Sequence, residues 1–226
     1  MKIFAIVFFL FISYISNSLD INNFPKLPRD VPQYTNINNL DYTQEELNNI
    51  YDSLKLNQYI SNDAFISGVE GMSKINIRKN NIIAIVDFTK PSTQERMCIL
   101  DLDNKELLIT SYVAHGKGSG NIYPTEFSNT NGSNKSCIGF FITGSNYDGI
   151  NGNSLSIYGL EKGKNDKSRE RDIVIHGADY AEEEFIKKYS RLGRSWGCFA
   201  VPRIKNDIII DAIKNGSIMY AHYEKK

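Results

Sequence analysis

One cysteine of this chain stands among small, turn-forming residues, in the run Ser195-Trp196-Gly197-Cys198. Serine and glycine beside a thiol indicate an exposed turn, which is where a reactive thiol is useful. Because cysteine attacks as the thiolate, Cys198 needs a base or a positive charge close to it. His176 is the candidate base, since it ends the apolar run 173–175 and is followed by Gly177. The two residues are the minimum parts of a cysteine nucleophile with its base.

The neighbours of Cys198 also predict a place for a developing negative charge. Acyl transfer through cysteine passes through a tetrahedral oxyanion, which about two N–H donors must stabilise. Trp196, Gly197 and Cys198 offer consecutive backbone N–H groups in a loop that suits a tight turn. On these residues alone, a catalytic pair and a purely structural His-Gly and Gly-Cys turn are equally compatible with the sequence.

The other two cysteines, Cys98 and Cys137, lie in strand-like apolar runs. We expect both to be buried, inert thiols, and a disulfide between them is the alternative. Zinc is the competing chemical interpretation of Cys and His. It requires three or four ligands at short spacings, and neither Cys-x-x-Cys nor His-x-x-x-His is present. No metal and no cofactor is therefore predicted.

The elements that must hold these residues are mostly strands. A capping box of Thr43 and Glu46 and a cap at Ser61 each begin a helix, and a helix at the C-terminal end should turn Ile208 and Ile209 inward. With no alternation of strands and long helices, the fold class is mainly β, antiparallel, with a few peripheral helices. The predicted strands are 82–88, 97–102, 105–114, 137–143, 155–158, 173–175 and 217–223, and the last two helices are 181–189 and 206–214.

The N-terminus predicts export. Residues 1–18 combine a lysine, a short apolar run and small residues at a cleavage position, which is typical of a signal peptide. A membrane anchor is the alternative, but the apolar run is shorter than the roughly 20 residues of a spanning helix. Residues 19–42 carry three of the six prolines and predict a linker. The folded domain is then 43–226, with no membrane span after signal cleavage.

The charge balance excludes two classes of partner. Lysine and arginine total 26, and aspartate and glutamate also total 26, so the formal net charge is zero. A balanced chain with no basic cluster does not predict binding to nucleic acid. It also gives no reason to expect strong attraction to anionic membranes.

The arrangement of His176-Gly177 and Ser195-Trp196-Gly197-Cys198 resembles the catalytic signature of murein L,D-transpeptidases, the YkuD-like superfamily. Several blocks in the same order make this more specific than any one motif. Together they resemble a divergent branch, the L,D-transpeptidase catalytic domain family, over roughly residues 60–205. The other blocks are Val86-Asp87-Phe88, Val113-Ala114-His115-Gly116, Phe127-Ser128-Asn129, Gly139-Phe140-Phe141-Ile142-Thr143-Gly144, Tyr158-Gly159-Leu160-Glu161 and Gly193-Arg194.

The resemblance implies a β-sandwich or barrel in which Cys198 attacks the carbonyl between an L-centre and a terminal D-amino acid of a peptidoglycan stem peptide. His176 would act first as base and then as acid. Ser195 and Gly197 match family motif positions, and Gly197 would shape the oxyanion loop. An amine acceptor would give an L,D-transpeptidase, and water would give an L,D-carboxypeptidase. Such an enzyme belongs in the periplasm or cell envelope.

Two other interpretations stay open. One is a non-catalytic peptidoglycan-binding module, and the other is a cysteine peptidase that acts on ordinary L-peptides.

The chain departs from the family pattern after the cysteine. Better-known members carry Arg or Asn two residues further on, where this chain has Ala200, and their histidine and cysteine usually lie closer in sequence than 176 and 198. Substrate contacts then fall to other residues, since a guanidinium matches a carboxylate. The candidate substrate-binding residues are Gly177, Arg191, Arg194, Arg203 and His115, the last of which is also interpretable as a structural strand-end histidine.

Overall fold

The computed structural model describes residues 40–225. The predicted signal peptide and residues 19–39 of the predicted linker lie outside them. The end of the linker packs on the domain, because Leu40 contacts the core and the Tyr42 hydroxyl donates to the Leu102 carbonyl at 2.6 Å. Within residues 40–225, no helix is long and apolar enough to cross a membrane.

Residues 40–225 form four α-helices and eight strands. The Thr43–Glu46 capping box and the Ser61 cap are present as predicted. The helices are α1 Gln44–Ser53, α2 Asn62–Ser73, α3 Glu183–Tyr189 and α4 Arg203–Ile213. The strands are β1 Ile82–Asp87, β2 Met97–Asp101, β3 Glu106–Ser111, β4 Gly139–Gly149, β5 Gly152–Gly159, β6 Val174–Gly177, β7 Phe199–Val201 and β8 Ile218–His222.

All eight strands belong to one sheet in the order β3-β2-β1-β8-β4-β5-β6-β7. Neighbouring strands are antiparallel except for the pairs β1–β8 and β6–β7, which are parallel. Ala114, just beyond β3, forms an antiparallel bridge with Ala200 in β7. This bridge joins the two ends of the sheet, so the sheet closes into a barrel-like fold.

The barrel has apolar residues on both faces. In β1, Ile83 and Ile85 pack against the core beneath α1 and α2, whereas Ala84 and Val86 belong to a second core that includes α4. Alternate residues of a strand point to opposite faces, so a strand covered on both sides is apolar throughout. This burial explains the continuous apolar runs in the sequence.

The same division of the core separates the two buried cysteines. Cys98 belongs to the core beneath α1 and α2, and Cys137 belongs to the core on the α4 side. Both thiols are free. They are the buried thiols that the sequence predicts, and they form no disulfide with each other.

The mainly β fold class is confirmed, and the structure corrects three details. β7 was not predicted, because a strand of three residues is too short to show a periodic pattern. The fold also contains two parallel pairs, which the sequence did not indicate. Finally, Ile208 is 54% exposed, so its predicted inward orientation is wrong, and Ile210 is buried instead.

Candidate active site

His176 lies in β6 and Cys198 lies just before the neighbouring strand β7. His176 pairs with Ala200 of this parallel strand. Cys198 directly precedes β7, two residues before Ala200. The pairing therefore brings the segment that carries the thiol alongside the strand that carries the imidazole.

The imidazole of His176 is held by the next residue along the chain. Its Nδ1 lies 3.0 Å from the carbonyl oxygen of Gly177. A carbonyl oxygen only accepts hydrogen bonds, so Nδ1 carries the proton and Nε2 keeps its lone pair. His176 is only 3% exposed, and this burial lowers the pKa of the imidazole, as does the nearby Arg203. His176 is thus a neutral base with Nε2 free of that hydrogen bond.

The thiol of Cys198 is partly buried at the start of β6. Its Sγ donates to the carbonyl oxygen of Asp172 at 3.3 Å. Burial raises the pKa of Cys198, and the carboxylate of Asp172 raises it further, whereas the backbone N–H of Val174 acts in the opposite direction. The thiol is therefore protonated at neutral pH.

The loop before Cys198 is braced from inside by Ser195. The Ser195 hydroxyl accepts from the backbone N–H of Gly197 at 3.1 Å and donates to the carbonyl of Cys198 at 2.7 Å. The N–H of Gly197 is occupied within the loop, which differs from the expectation of three available donors. Within residues 40–225, no hydrogen bond joins the N–H of Trp196 or of Cys198 to another residue of the loops. These two are the donors that remain for an oxyanion.

Ser136 fixes the direction of the Cys198 donor. Its buried hydroxyl donates to the carbonyl of Gly197 at 2.9 Å and accepts from the N–H of Gly116 at 3.0 Å. In a trans peptide the carbonyl and the following N–H point in opposite directions, so holding the Gly197 carbonyl aims the Cys198 N–H away from Ser136. Gly197 has φ +133°, a conformation that favours glycine. Nothing in the sequence distinguished Ser136 from the other serines.

Residues 193–198, which lead to Cys198, are called the nucleophile loop below. Arg171 lies beside this loop, and the sequence did not indicate it as a candidate. Its Nη2 donates to the carbonyl of Lys135 at 2.6 Å and to the Ser133 hydroxyl at 3.2 Å. A Cβ added at Gly197 would lie 3.6 Å from Nη2 and 2.9 Å from the Lys135 oxygen. The guanidinium therefore holds the segment that covers the loop. The signal available in the sequence was its position, directly before the run that leads to His176.

The three candidate substrate-binding arginines have different surroundings. Arg203, at the start of α4, forms an ion pair with Asp179, and its charge lowers the pKa of His176. Arg191 and Arg194 both line one cavity, which Arg203 does not line. Ala200 is fully buried in a small apolar cluster with Ala114, Ala178, Ala181 and Leu192.

The side chain of His115 is not exposed at the candidate active site. It is fully buried, its Nδ1 lies 2.8 Å from Nη2 of the buried Arg96, and its ring meets Phe88 edge-on. Burial and the charge of Arg96 lower the pKa of His115 to about 3, so the ring stays neutral. The backbone of His115 matters to the site, because its carbonyl accepts from the N–H of Ser195 at 2.9 Å. Its structural interpretation accounts for these contacts.

Gly177 is also buried, and its contribution is the carbonyl that holds His176. Trp196 is the opposite case, since its side chain is 75% exposed at the rim of the loop.

Residues 40–225 contain no group of three or more His, Cys, Asp or Glu side chains placed to hold a metal ion.

A comparison with known protein families shows which family the chain belongs to. The sequence profile described as "L,D-transpeptidase catalytic domain" matches residues 56–222. The chain belongs to this family. The match extends further in both directions than the blocks quoted from the sequence, and it contains β6, the nucleophile loop and β7. Among curated proteins, none matches the sequence.

Three solved structures match part of the chain at low sequence identity. The chain is 11% identical to an L,D-transpeptidase from Mycobacterium smegmatis, with a TM-score of 0.40 over 63% of this chain and 59% of that one. It is 13% identical to Pgp2, a helical cell shape determining protein from Campylobacter jejuni, with a TM-score of 0.46 over 66% of this chain and 49% of that one. It is 13% identical to L,D-transpeptidase 1 of Mycobacterium tuberculosis, with a TM-score of 0.37 over 64% of this chain and 62% of that one. The chain thus spans about half to three fifths of the length of these proteins.

Proposed function

We propose that this chain is a peptidoglycan L,D-transpeptidase that works through a thioester at Cys198. The observation that carries the proposal is the pairing of β6 with β7, because His176 lies in β6 and Cys198 directly precedes β7. The family match over residues 56–222 supports the same reaction class.

In the first half of the proposed reaction, the Cys198 thiol attacks the carbonyl between an L-centre and the terminal D-residue of a stem peptide. The S–H proton moves to Nε2 of His176 as the S–C bond forms. The N–H groups of Trp196 and Cys198 donate to the oxyanion. When the tetrahedral species collapses, the C–N bond breaks and His176 returns the proton to the leaving amine. The products are the free D-residue and a thioester at Cys198.

In the second half, an acceptor attacks the thioester. His176, neutral again, takes a proton from the acceptor as the new bond to the carbonyl carbon forms. The C–S bond then breaks, and His176 gives this proton to the leaving sulfur, which restores the thiol and the neutral imidazole. An amine of a second stem peptide gives a cross-link. Water in the same position gives L,D-carboxypeptidase activity without a change in the residues.

The proposed place of action is the periplasm or cell envelope. Peptidoglycan is the substrate class that the family implies, and residues 1–18 have the pattern of a signal peptide. N-terminal sequencing of the protein from the periplasmic fraction tests this part. A chain that starts at Met1 and stays in the cytoplasm would contradict export.

The test of the reaction is the replacement of the thiol. Cys198→Ala should abolish release of the terminal D-residue from a disaccharide-tetrapeptide, because no thioester can form. The matched control is Cys98→Ala, which removes a buried thiol in the core beneath α1 and α2 and should retain turnover. Unchanged turnover in Cys198→Ala would refute the assignment.

The same substrates separate the other interpretations. An ordinary cysteine peptidase would cleave stem peptides that end in an L-residue as readily as those that end in a D-residue. A non-catalytic module would bind sacculi but would not be acylated by a carbapenem.

A further inference from the structure

A cavity of about 330 Å³ opens beside the nucleophile loop. Its wall carries three cationic side chains and two aromatic rings, and no acidic residue lines it. The lining residues are Lys117, Tyr180, Phe185, Arg191, Gly193 and Arg194.

The nucleophile loop itself builds one wall of this cavity. Gly193 donates its N–H to the carbonyl of Tyr180 at 2.7 Å, and a Cβ at this glycine would lie 2.4 Å from the Cβ of Tyr180. Lys117 donates its backbone N–H to the carbonyl of Ser195 at 2.8 Å. The residues that form the cavity are therefore fixed to the segment that leads to Cys198.

The three cations of the cavity have no acidic partner. Across the described part of the chain, none of the ion pairs includes Lys117, Arg191 or Arg194. Arg191 donates to the carbonyl of Leu192 at 2.8 Å, and Arg194 donates to that of Gly120 at 3.2 Å. Each guanidinium has five N–H donors, so each keeps donors for a ligand. By contrast, Arg203 is already paired with Asp179.

The cavity lies beside the segment that leads to Cys198, because Gly193 is bonded to Tyr180 and Lys117 to Ser195. Burial, and to a smaller extent the negative charge that Cys198 carries when it ionises, raises the pKa of Tyr180 to about 12. On the outer side, the Lys117 ammonium lies 5.5 Å from the centre of the exposed Trp196 ring. A peptide whose carbonyl lies at Cys198 would thus extend past Tyr180 towards the three cations.

We propose that this cavity is a carboxylate-binding subsite for the donor peptide, in which Arg191 and Arg194 hold the carboxylate and Lys117 adds its charge. A planar guanidinium matches a carboxylate in two hydrogen bonds. The subsite takes the place of the residue two positions after the cysteine, which is Ala200 here. The inference rests on the proposed function, because the peptide bound is the one attacked by Cys198.

Trp196 reports binding without any reaction. It is the only tryptophan of the chain and lies at the edge of the cavity. In Cys198→Ala, titration with a tetrapeptide stem should change the tryptophan fluorescence. Replacing the responsible carboxylate with a carboxamide should weaken binding roughly tenfold or more, the effect expected of one charge-assisted hydrogen bond.

Two amidated peptides identify the carboxylate. One carries a carboxamide at the C-terminus, and the other carries it at the internal acidic residue. Weaker binding of the first assigns the subsite to the terminal carboxylate, and weaker binding of the second assigns it to the internal one. Equal affinity of Cys198→Ala for all three peptides would overturn the proposal.

The matched variants neutralise two charges each. Arg191→Gln with Arg194→Gln should remove the preference for the carboxylate form. Lys187→Gln with Lys188→Gln changes the net charge equally on the neighbouring helix but outside the cavity, and should keep the preference. Loss of the preference in both pairs would indicate a long-range charge effect and would refute the subsite.

The binding result and the reaction result are independent. If Cys198→Ala prefers the carboxylate but the wild-type protein is never acylated, the subsite stands and the proposed function fails. If the wild-type protein is acylated and Cys198→Ala shows no preference, the proposed function stands and the subsite fails.

Discussion

The thiol and imidazole of this site are both held in their neutral forms. Burial is the largest cause in each case, and it opposes the charged form, so the pKa of Cys198 is raised and that of His176 is lowered. Cys198 precedes a strand rather than a helix, so no helix N-terminus stabilises a thiolate. The proton should therefore leave sulfur only as His176 accepts it during attack.

This arrangement predicts the pH dependence of thiol alkylation. A raised pKa means that the thiol stays protonated to a higher pH than an ordinary thiol, whose pKa is about 8.5. The rate of carbamidomethylation of Cys198 by iodoacetamide should rise with a midpoint above that value, as followed by peptide mass mapping. A rate that is already maximal at neutral pH would instead indicate a thiolate–imidazolium pair.

Ser136 is expected to act on the rate through the peptide between Gly197 and Cys198. Ser136→Ala removes the donor to the Gly197 carbonyl, so the Cys198 N–H loses its fixed direction. Complete loss of an oxyanion donor costs about a hundredfold or more in rate, and a loosened donor should cost roughly tenfold. The loss should appear in kcat rather than in KM, because the donor acts on the transition state.

The control for Ser136→Ala is Ser217→Ala. Ser217 is equally buried, and its hydroxyl donates to the Asn80 side chain at the other end of the barrel. Each substitution should lower the free energy of unfolding by about 1–3 kcal/mol, as measured in urea. If both variants lost kcat equally, Ser136 would have a structural effect only.

The parallel pair β6–β7 positions the site and is the element that the sequence predicted least well. The run before His176 predicted β6, and the Gly-Cys turn predicted a loop. The three residues of β7 carry too little pattern to predict a strand or its parallel register. The pairing that brings the segment of Cys198 alongside His176 therefore could not be predicted from the local pattern.

The surroundings of Ala200 in β7 do not suit a charged side chain. Ala200 lies between His176 of β6 and the bridging Ala114, and the surrounding side chains leave no exposed surface. A buried, unpaired guanidinium costs several kcal/mol.

An arginine at position 200 should therefore destabilise the fold. Ala200→Arg is expected to lower the free energy of unfolding by more than about 3 kcal/mol in urea. Ile204→Arg, at a position 81% exposed in the first turn of α4, should change it by less than about 0.5 kcal/mol. A stable Ala200→Arg variant with faster turnover would contradict this account.

The individual strands and helices could be predicted from the sequence better than their arrangement. Seven of the eight strands and all four helices follow from apolar periodicity and caps, because those signals are local. The closure of the sheet was not predictable, since the bridge between Ala114 and Ala200 joins residues that are distant in sequence. The same holds for the site. Cys198 and His176 are candidates by residue type alone, whereas Ser136 and Arg171 become candidates only through their contacts with distant backbone groups.

The acyl-enzyme itself is the most direct test of the central claim. Wild-type protein and Cys198→Ala are each incubated with a disaccharide-tetrapeptide and analysed by intact-mass spectrometry. The account predicts that the wild-type mass increases by the donor minus its terminal D-residue, that peptide mapping places the group on Cys198, and that Cys198→Ala shows no increase. An adduct on another residue, or turnover by Cys198→Ala, would contradict it.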